Sequence, residues 1–126
     1  MSLLPRNALN WFEIPVRNLD RAQTFYERML GVTLRREEMG RHALAVFPYG
    51  DGAVGGCLLE GAAWKPSPDG ALVYLNVEGP LDAALARAQA AGGRVDTPRV
   101  DLPAGLGCFA HLTDTEGNRF GVHAFA

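Results

Sequence analysis

Cysteine is scarce in this chain: its 126 residues hold only Cys57 and Cys108, both inside strand-like runs. Their spacing forms neither a metal knuckle nor a redox pair, which leaves two buried thiols in a cytoplasmic protein as the expectation. Long apolar runs are missing too, and no stretch is long enough to cross a bilayer. A charged segment leading into an apolar one is absent at the amino terminus, so no secretory signal is expected. Charge of one sign is not concentrated anywhere. The net charge is −2 and there is no basic run, which argues against a nucleic-acid partner.

What is present is apolar content and punctuation. Apolar residues make up 48% of the chain, enough to exclude disorder and to build one core. The fifteen glycines and eight prolines divide the sequence into short elements. Asn10 to Val16 reads as a strand with Phe12, Ile14 and Val16 on one face and Trp11, Glu13 and Pro15 on the other. Leu19, Ala22, Phe25, Tyr26, Met29 and Leu30 then recur at helical spacing, with Asn18 or Asp20 as cap and Gly31 as stop. Strands are expected over 32–36, 42–47 and 53–60. Residues 62–70, with Pro66 and Pro68, read as a linker, and its Trp64 should pack onto something.

The second half repeats this order. A strand over 71–77 carries Val73, Leu75 and Val77 on one face. A helix begins at Gly79-Pro80, with Pro80 in its first turn, and stops at Gly92-Gly93. Strands follow over 94–100, 108–113 and 119–125, the last two joined by a turn at Asp114 to Asn118. Gly31 lies twelve residues after Leu19, as Gly93 does after Leu81. Such a repeat predicts an α+β fold of two βαβββ modules, about 9–61 and 71–126. They form a curved eight-stranded cup with helices on the outer faces, in one domain spanning 1–126.

The strand ending in Pro15-Val16, the run Asn18-Leu19-Asp20-Arg21-Ala22, Phe25-Tyr26 through Leu30-Gly31, and the closing Asp114-Thr115-Glu116-Gly117-Asn118-Arg119-Phe120-Gly121-Val122-His123 resemble one known group. It is the vicinal oxygen chelate superfamily of glyoxalase I, extradiol dioxygenases and bleomycin-resistance proteins. The resemblance implies a homodimer and a small-molecule ligand in the concave cleft. In the family's metal enzymes, ligands come from the first and last strand of each module. Those positions fall here on Trp11, Leu72, Gly121 and near Gly56, none of which ligates through its side chain. No metal and no other cofactor is therefore expected, although Glu13 and His123 could together hold a divalent ion weakly.

The polar-facing set is Trp11, Glu13, Leu72, Tyr74, Asn76, Arg119, His123 and Phe125. Aromatics mixed with hydrogen-bonding groups suit a small-molecule pocket. With the family's sheet order, Tyr74 neighbours His123 and Glu13 lies across the cleft. Glu13 is then a general base or acceptor, and His123 and Tyr74 are proton donors, in a lyase or isomerase of the glyoxalase kind. The remaining five anchor ligand. The leading expectation is a metal-independent protein that binds a small molecule in the concave cleft, with the lyase or isomerase as the alternative. A buried Glu13 that simply pairs with Arg119 or His123 is the plainer reading of that residue. His42 is expected to be exposed, and His111 to be a hydrogen-bonded structural residue.

Overall fold

The computed structural model describes residues 4–126. The elements are β1 (Trp11–Pro15), α1 (Leu19–Leu30), β2 (Arg35–Met39), β3 (His42–Val46), β4 (Gly55–Glu60), β5 (Tyr74–Asn76), α2 (Leu81–Ala90), β6 (Arg94–Asp101), β7 (Cys108–Thr113) and β8 (Arg119–Ala124). Two four-stranded sheets result, ordered β1-β4-β3-β2 and β5-β8-β7-β6. In each, the strand before the helix lies parallel to the last strand of its module, and the other pairings are antiparallel. This is the α+β, eight-stranded arrangement of two βαβββ modules, with the helices against one face of the sheets.

α1 forms because its cap, stripe and stop agree. The Asn18 side chain accepts from the Arg21 amide, and Gly31 takes the left-handed conformation at φ 70°. Its stripe of Leu19, Ala22, Phe25, Tyr26 and Met29 is buried. α2 is more weakly specified. Pro80 stands at its cap rather than in its first turn and offers no side-chain bond. The Leu81 amide instead donates to the Ala126 carbonyl at 3.1 Å.

Both modules share a single core. It takes Ile14, Val16 and Leu58 from the first sheet, Leu75, Phe120 and Val122 from the second, and the stripes of both helices. Phe25 and Tyr26 of α1 meet Phe120 of β8 at ring-centroid distances of 6.1 and 5.3 Å. The helices also touch directly, with Arg87 Nε donating to the Met29 carbonyl at 3.0 Å.

The turn between β7 and β8 ties the second module to the start of α1. The Glu116 carboxylate accepts from the amides of Arg17 and Asn18, both at 2.9 Å, and from Arg21 Nε at 2.7 Å. A carboxylate there satisfies orphan amides and complements the helix dipole. Burial pushes the Glu116 carboxyl up, but Arg21, those amides and the Thr115 hydroxyl outweigh it and leave the pKa lowered. Nearby, the buried Tyr26 hydroxyl donates to Asp114 at 2.6 Å. Asn118 Nδ2 donates to the Pro15 carbonyl at 2.7 Å. Desolvation leads in raising the Asp114 carboxyl, against the bonds that favour its charge.

Most boundaries move by a residue or two, and three of the differences have a plain structural reason. β2 begins at Arg35 rather than Val32, because Leu34 turns into the core. β5 has only three residues, because it pairs with β8 alone and only at Tyr74, Leu75 and Asn76. β8 ends at Ala124, leaving Phe125 outside the ladder and 79% exposed.

Candidate functional site

Each sheet has one face under the helices and one without, and the helix-free faces carry the polar set. In the second sheet the registers place Tyr74 opposite Gly121, Gly121 opposite His111, and His111 opposite Thr97. These four residues form one row across four strands. Gly121 leaves a gap in it. A Cβ there would collide with the Tyr74 ring, so the ring lies across the glycine and reaches the next strand. The Tyr74 hydroxyl sits 2.7 Å from His111 Nε2. His111 Nδ1 in turn faces Thr97 Oγ1 at 3.2 Å and Arg119 Nη2 at 3.3 Å. Phe109 completes a ring cluster, with centroids 6.0 Å from Tyr74 and 5.3 Å from His111. Burial, then the positive charge of Arg119, lower the His111 pKa, while Asp96 acts the other way.

The same face of the first sheet is largely closed. Leu44, Val46, Cys57 and Leu59 form a buried apolar cluster with Trp64 packed against it. Trp64 meets His42 at 4.6 Å, which makes His42 half-buried rather than exposed. By register, Cys57 opposes Glu13 as Gly121 opposes Tyr74. Cys57, not Gly56, is therefore the counterpart of Gly121; Gly56 lies on the helix side, against the Phe12 ring. Burial first, then the charge of Glu13, push the Cys57 thiol up to about 11, against the Trp11 indole.

The free edges of β1 and β5 border a common cavity of about 490 Å³. Its apolar wall includes Phe12, Leu30, Phe47 and Leu72, and its polar groups include Tyr49, Tyr74, Asn76 and Glu78. Farther along this seam, a space of about 240 Å³ is bordered by Glu13 and Arg119. A third, of about 340 Å³, holds Asn76, His123 and Phe125.

Three of the expected residues, Leu72, Tyr74 and Asn76, meet in the main seam cavity. Trp11 stands behind it, edge-on to Tyr49 at 6.1 Å. Glu13 is exposed rather than buried, and its carboxylate makes no hydrogen bond or ion pair with Arg119 or His123. An exposed carboxylate keeps its hydration and needs no partner. Tyr74 neighbours Gly121 and binds His111, not His123, because Asn76 holds the position opposite His123. His123 Nε2 instead lies 2.6 Å from the Leu106 carbonyl, anchoring the loop before β7, and its ring meets Phe125 at 4.9 Å. Glu13, Tyr74 and His123 thus border separate spaces.

The sequence reading gave His111 only a structural, hydrogen-bonded role, which its bonds to Tyr74 and Thr97 bear out, and did not single out Tyr49. The alternation of Phe109, His111 and Thr113 against buried Cys108, Ala110 and Leu112 carried a signal for His111. Tyr49 lies in a turn, where no periodicity points at a cavity.

The donor set does not fit the family's divalent ion. Trp11, Leu72 and Gly121 offer no ligating atom, the Cys57 thiol is held protonated, and the Tyr74 ring covers Gly121. Among the described residues, no three His, Cys, Asp or Glu side chains converge on one point.

Comparison with known proteins agrees with this architecture. A protein named "Putative glyoxylase CFP32" from Mycobacterium bovis is 36% identical over 115 residues, covering 90% of this chain. This chain spans 42% of that relative's length. A glyoxalase I mutant from Zea mays superposes with a TM-score of 0.69 at 17% identity, over 92% of this chain and 45% of that one. TnmS3, an antibiotic binding protein from Streptomyces sp. CB03234, superposes with a TM-score of 0.63 at 22% identity, over 96% and 98% of the two chains. Residues 8–122 match the family model, and the chain belongs to the Glyoxalase/Bleomycin resistance protein/Dioxygenase superfamily.

Proposed function

We propose that this protein binds a small, flat, largely apolar molecule in the seam between β1 and β5, without a divalent metal at the family's usual position. The observation that carries this is the cavity of about 490 Å³, apolar along Phe12, Leu30, Phe47 and Leu72 with a few polar groups at one side. That volume and that mixture suit a drug-sized ligand. TnmS3, an antibiotic binding protein of the same fold, supports binding as a role for such a cleft. Sequestration needs no converging acid and base. Turnover by Glu13 with His123 does, and these two border different spaces.

A homodimer and a cytoplasmic location complete the proposal, both drawn from the family resemblance and the sequence. Sedimentation at twice the monomer mass, and fractionation of cells of the source organism, test them. The binding reading is tested by titrating isotope-labelled protein with 2-acetonaphthone, a flat apolar ketone, and following amide shifts. Shifts grouped at Tyr49, Val54 and 72–76 are expected. Shifts confined to the space around His123 and Phe125, or none up to the solubility of the ketone, would contradict it.

A further inference from the structure

Given a ligand in the seam cavity, we propose that Arg119 and His111 set Tyr74 as an outward hydrogen-bond donor, so that the ligand carries an oxygen acceptor, carbonyl or anionic, on its flat body. An arginine guanidinium can only donate. Arg119 Nη2 lies 3.3 Å from His111 Nδ1, so that nitrogen must present its lone pair. Thr97 Oγ1, 3.2 Å from the same atom, is able to donate to it as well. The ring proton of the neutral imidazole then sits on Nε2 and is given to the Tyr74 oxygen at 2.7 Å. A tyrosine hydroxyl has one proton. With its oxygen accepting from His111, that proton is left for a group outside the row.

Position and charge agree with this assignment. Tyr74 is 48% exposed and borders the seam cavity, and its ring crosses onto the neighbouring strand, so a ligand meets the hydroxyl by extending from the cavity over the ring. Arg119 also discourages a charged His111, since two cations would then face each other at contact distance. Gly121 is what allows the relay, because any side chain there would lift the Tyr74 ring off the sheet. His111 and Arg119 are positioning residues: they decide which way the Tyr74 proton points. A ligand presenting only donors meets no acceptor at this point, whereas a carbonyl or oxyanion meets the phenol.

Two measurements on the intact chain test this. Long-range proton–nitrogen NMR of the wild type at neutral pH should show His111 Nδ1 unprotonated and Nε2 protonated. In Arg119→Ala that preference should weaken. The opposite tautomer in the wild type would overturn the relay without any ligand. Second, 2-acetonaphthone and 2-ethylnaphthalene differ in the acceptor oxygen and little in shape. The wild type should prefer the ketone by about tenfold, the worth of one hydrogen bond in a partly dry site. Tyr74→Phe, checked as folded by its melting temperature, should erase that preference. His111→Ala should reduce the preference, and His111→Gln, which keeps an N–H donor, should restore part of it. Equal binding of both compounds by the wild type overturns the donor assignment but leaves the seam reading standing. Binding of neither compound overturns both.

Discussion

The two helix-free faces show how one repeated module can be put to opposite uses. On the first sheet the face is filled by Leu44, Val46, Cys57 and Leu59 under Trp64. On the second, the corresponding strands carry Tyr74, His111 and Arg119, joined by hydrogen bonds and open to solvent, with the Phe109 ring packed beside them. The difference begins at one pair of equivalent positions. Cys57 packs into its face, and Gly121 vacates its own so that a tyrosine can cross it. Apolar side chains make the first face a support that gains from burial. Hydrogen-bonding side chains leave the second polar and open. The seam cavity has Tyr74 and Asn76 of β5 on one side and Phe12, Leu30 and Phe47 on the other.

The largest expected effect comes from cutting what both faces stand on. Phe120→Ala removes the ring that contacts Phe25 and Tyr26 across the modules, and should cost about 3–5 kcal/mol in urea denaturation. Because the core is shared, both halves should unfold in one transition. Two transitions would break the comparison, since the modules would then be independent.

Next comes the contrast itself. Trp64→Ala uncovers the apolar cluster of the first sheet and should lower stability by about 2 kcal/mol with little change in ligand affinity. Phe109→Ala on the second sheet should cost less stability, about 1 kcal/mol, and more affinity. Equal losses of both kinds from both variants would erase the distinction between the faces.

Glu116→Gln probes the tie between the second module and α1. It should cost about 2 kcal/mol at neutral pH, since the carboxylate accepts charge-assisted bonds while its side chain is fully buried. The sign follows from the lowered pKa. That stability is present above the unfolded pKa of a glutamate, near about 4.3. It is lost as pH falls through the still lower folded value. The gap between variant and wild type should therefore close in acid, as checked by denaturation at neutral pH and in strong acid.

The smallest effect is His111 itself, whose NMR titration should fall below the ordinary histidine range of about 6.5. A value above that range would mean that Asp96, not Arg119 and burial, governs the ring.

The fold was legible because its signals are local and doubled. α1 announced itself by the spacing of Leu19, Phe25, Tyr26 and Met29 and by Gly31, and Leu81 to Gly93 repeated the pattern. Which side chains share a face was legible for the same reason: strands alternate. What face assignment cannot reveal is which neighbours touch. Tyr74 was placed beside His123, yet its partner on β8 lies two residues earlier, at Gly121, and the ring crosses that glycine to His111. Glu13 looked anomalous in sequence because its neighbours are apolar. In the structure it stands on an edge strand in water, where a carboxylate has no anomaly to explain. The partners of Asp114, Glu116 and Asn118 lie too far away in the chain for any local pattern to disclose.

The most direct test of the central claim is a fluorescence titration of 2-acetonaphthone into Leu72→Trp beside the wild type. Leu72 is half-buried and lines the seam, so the larger side chain should fill the cavity without disturbing the shared core. Binding lost by at least about tenfold, with an unchanged melting temperature, is the predicted result. Undiminished binding in that variant would place the ligand elsewhere and contradict the seam as the site.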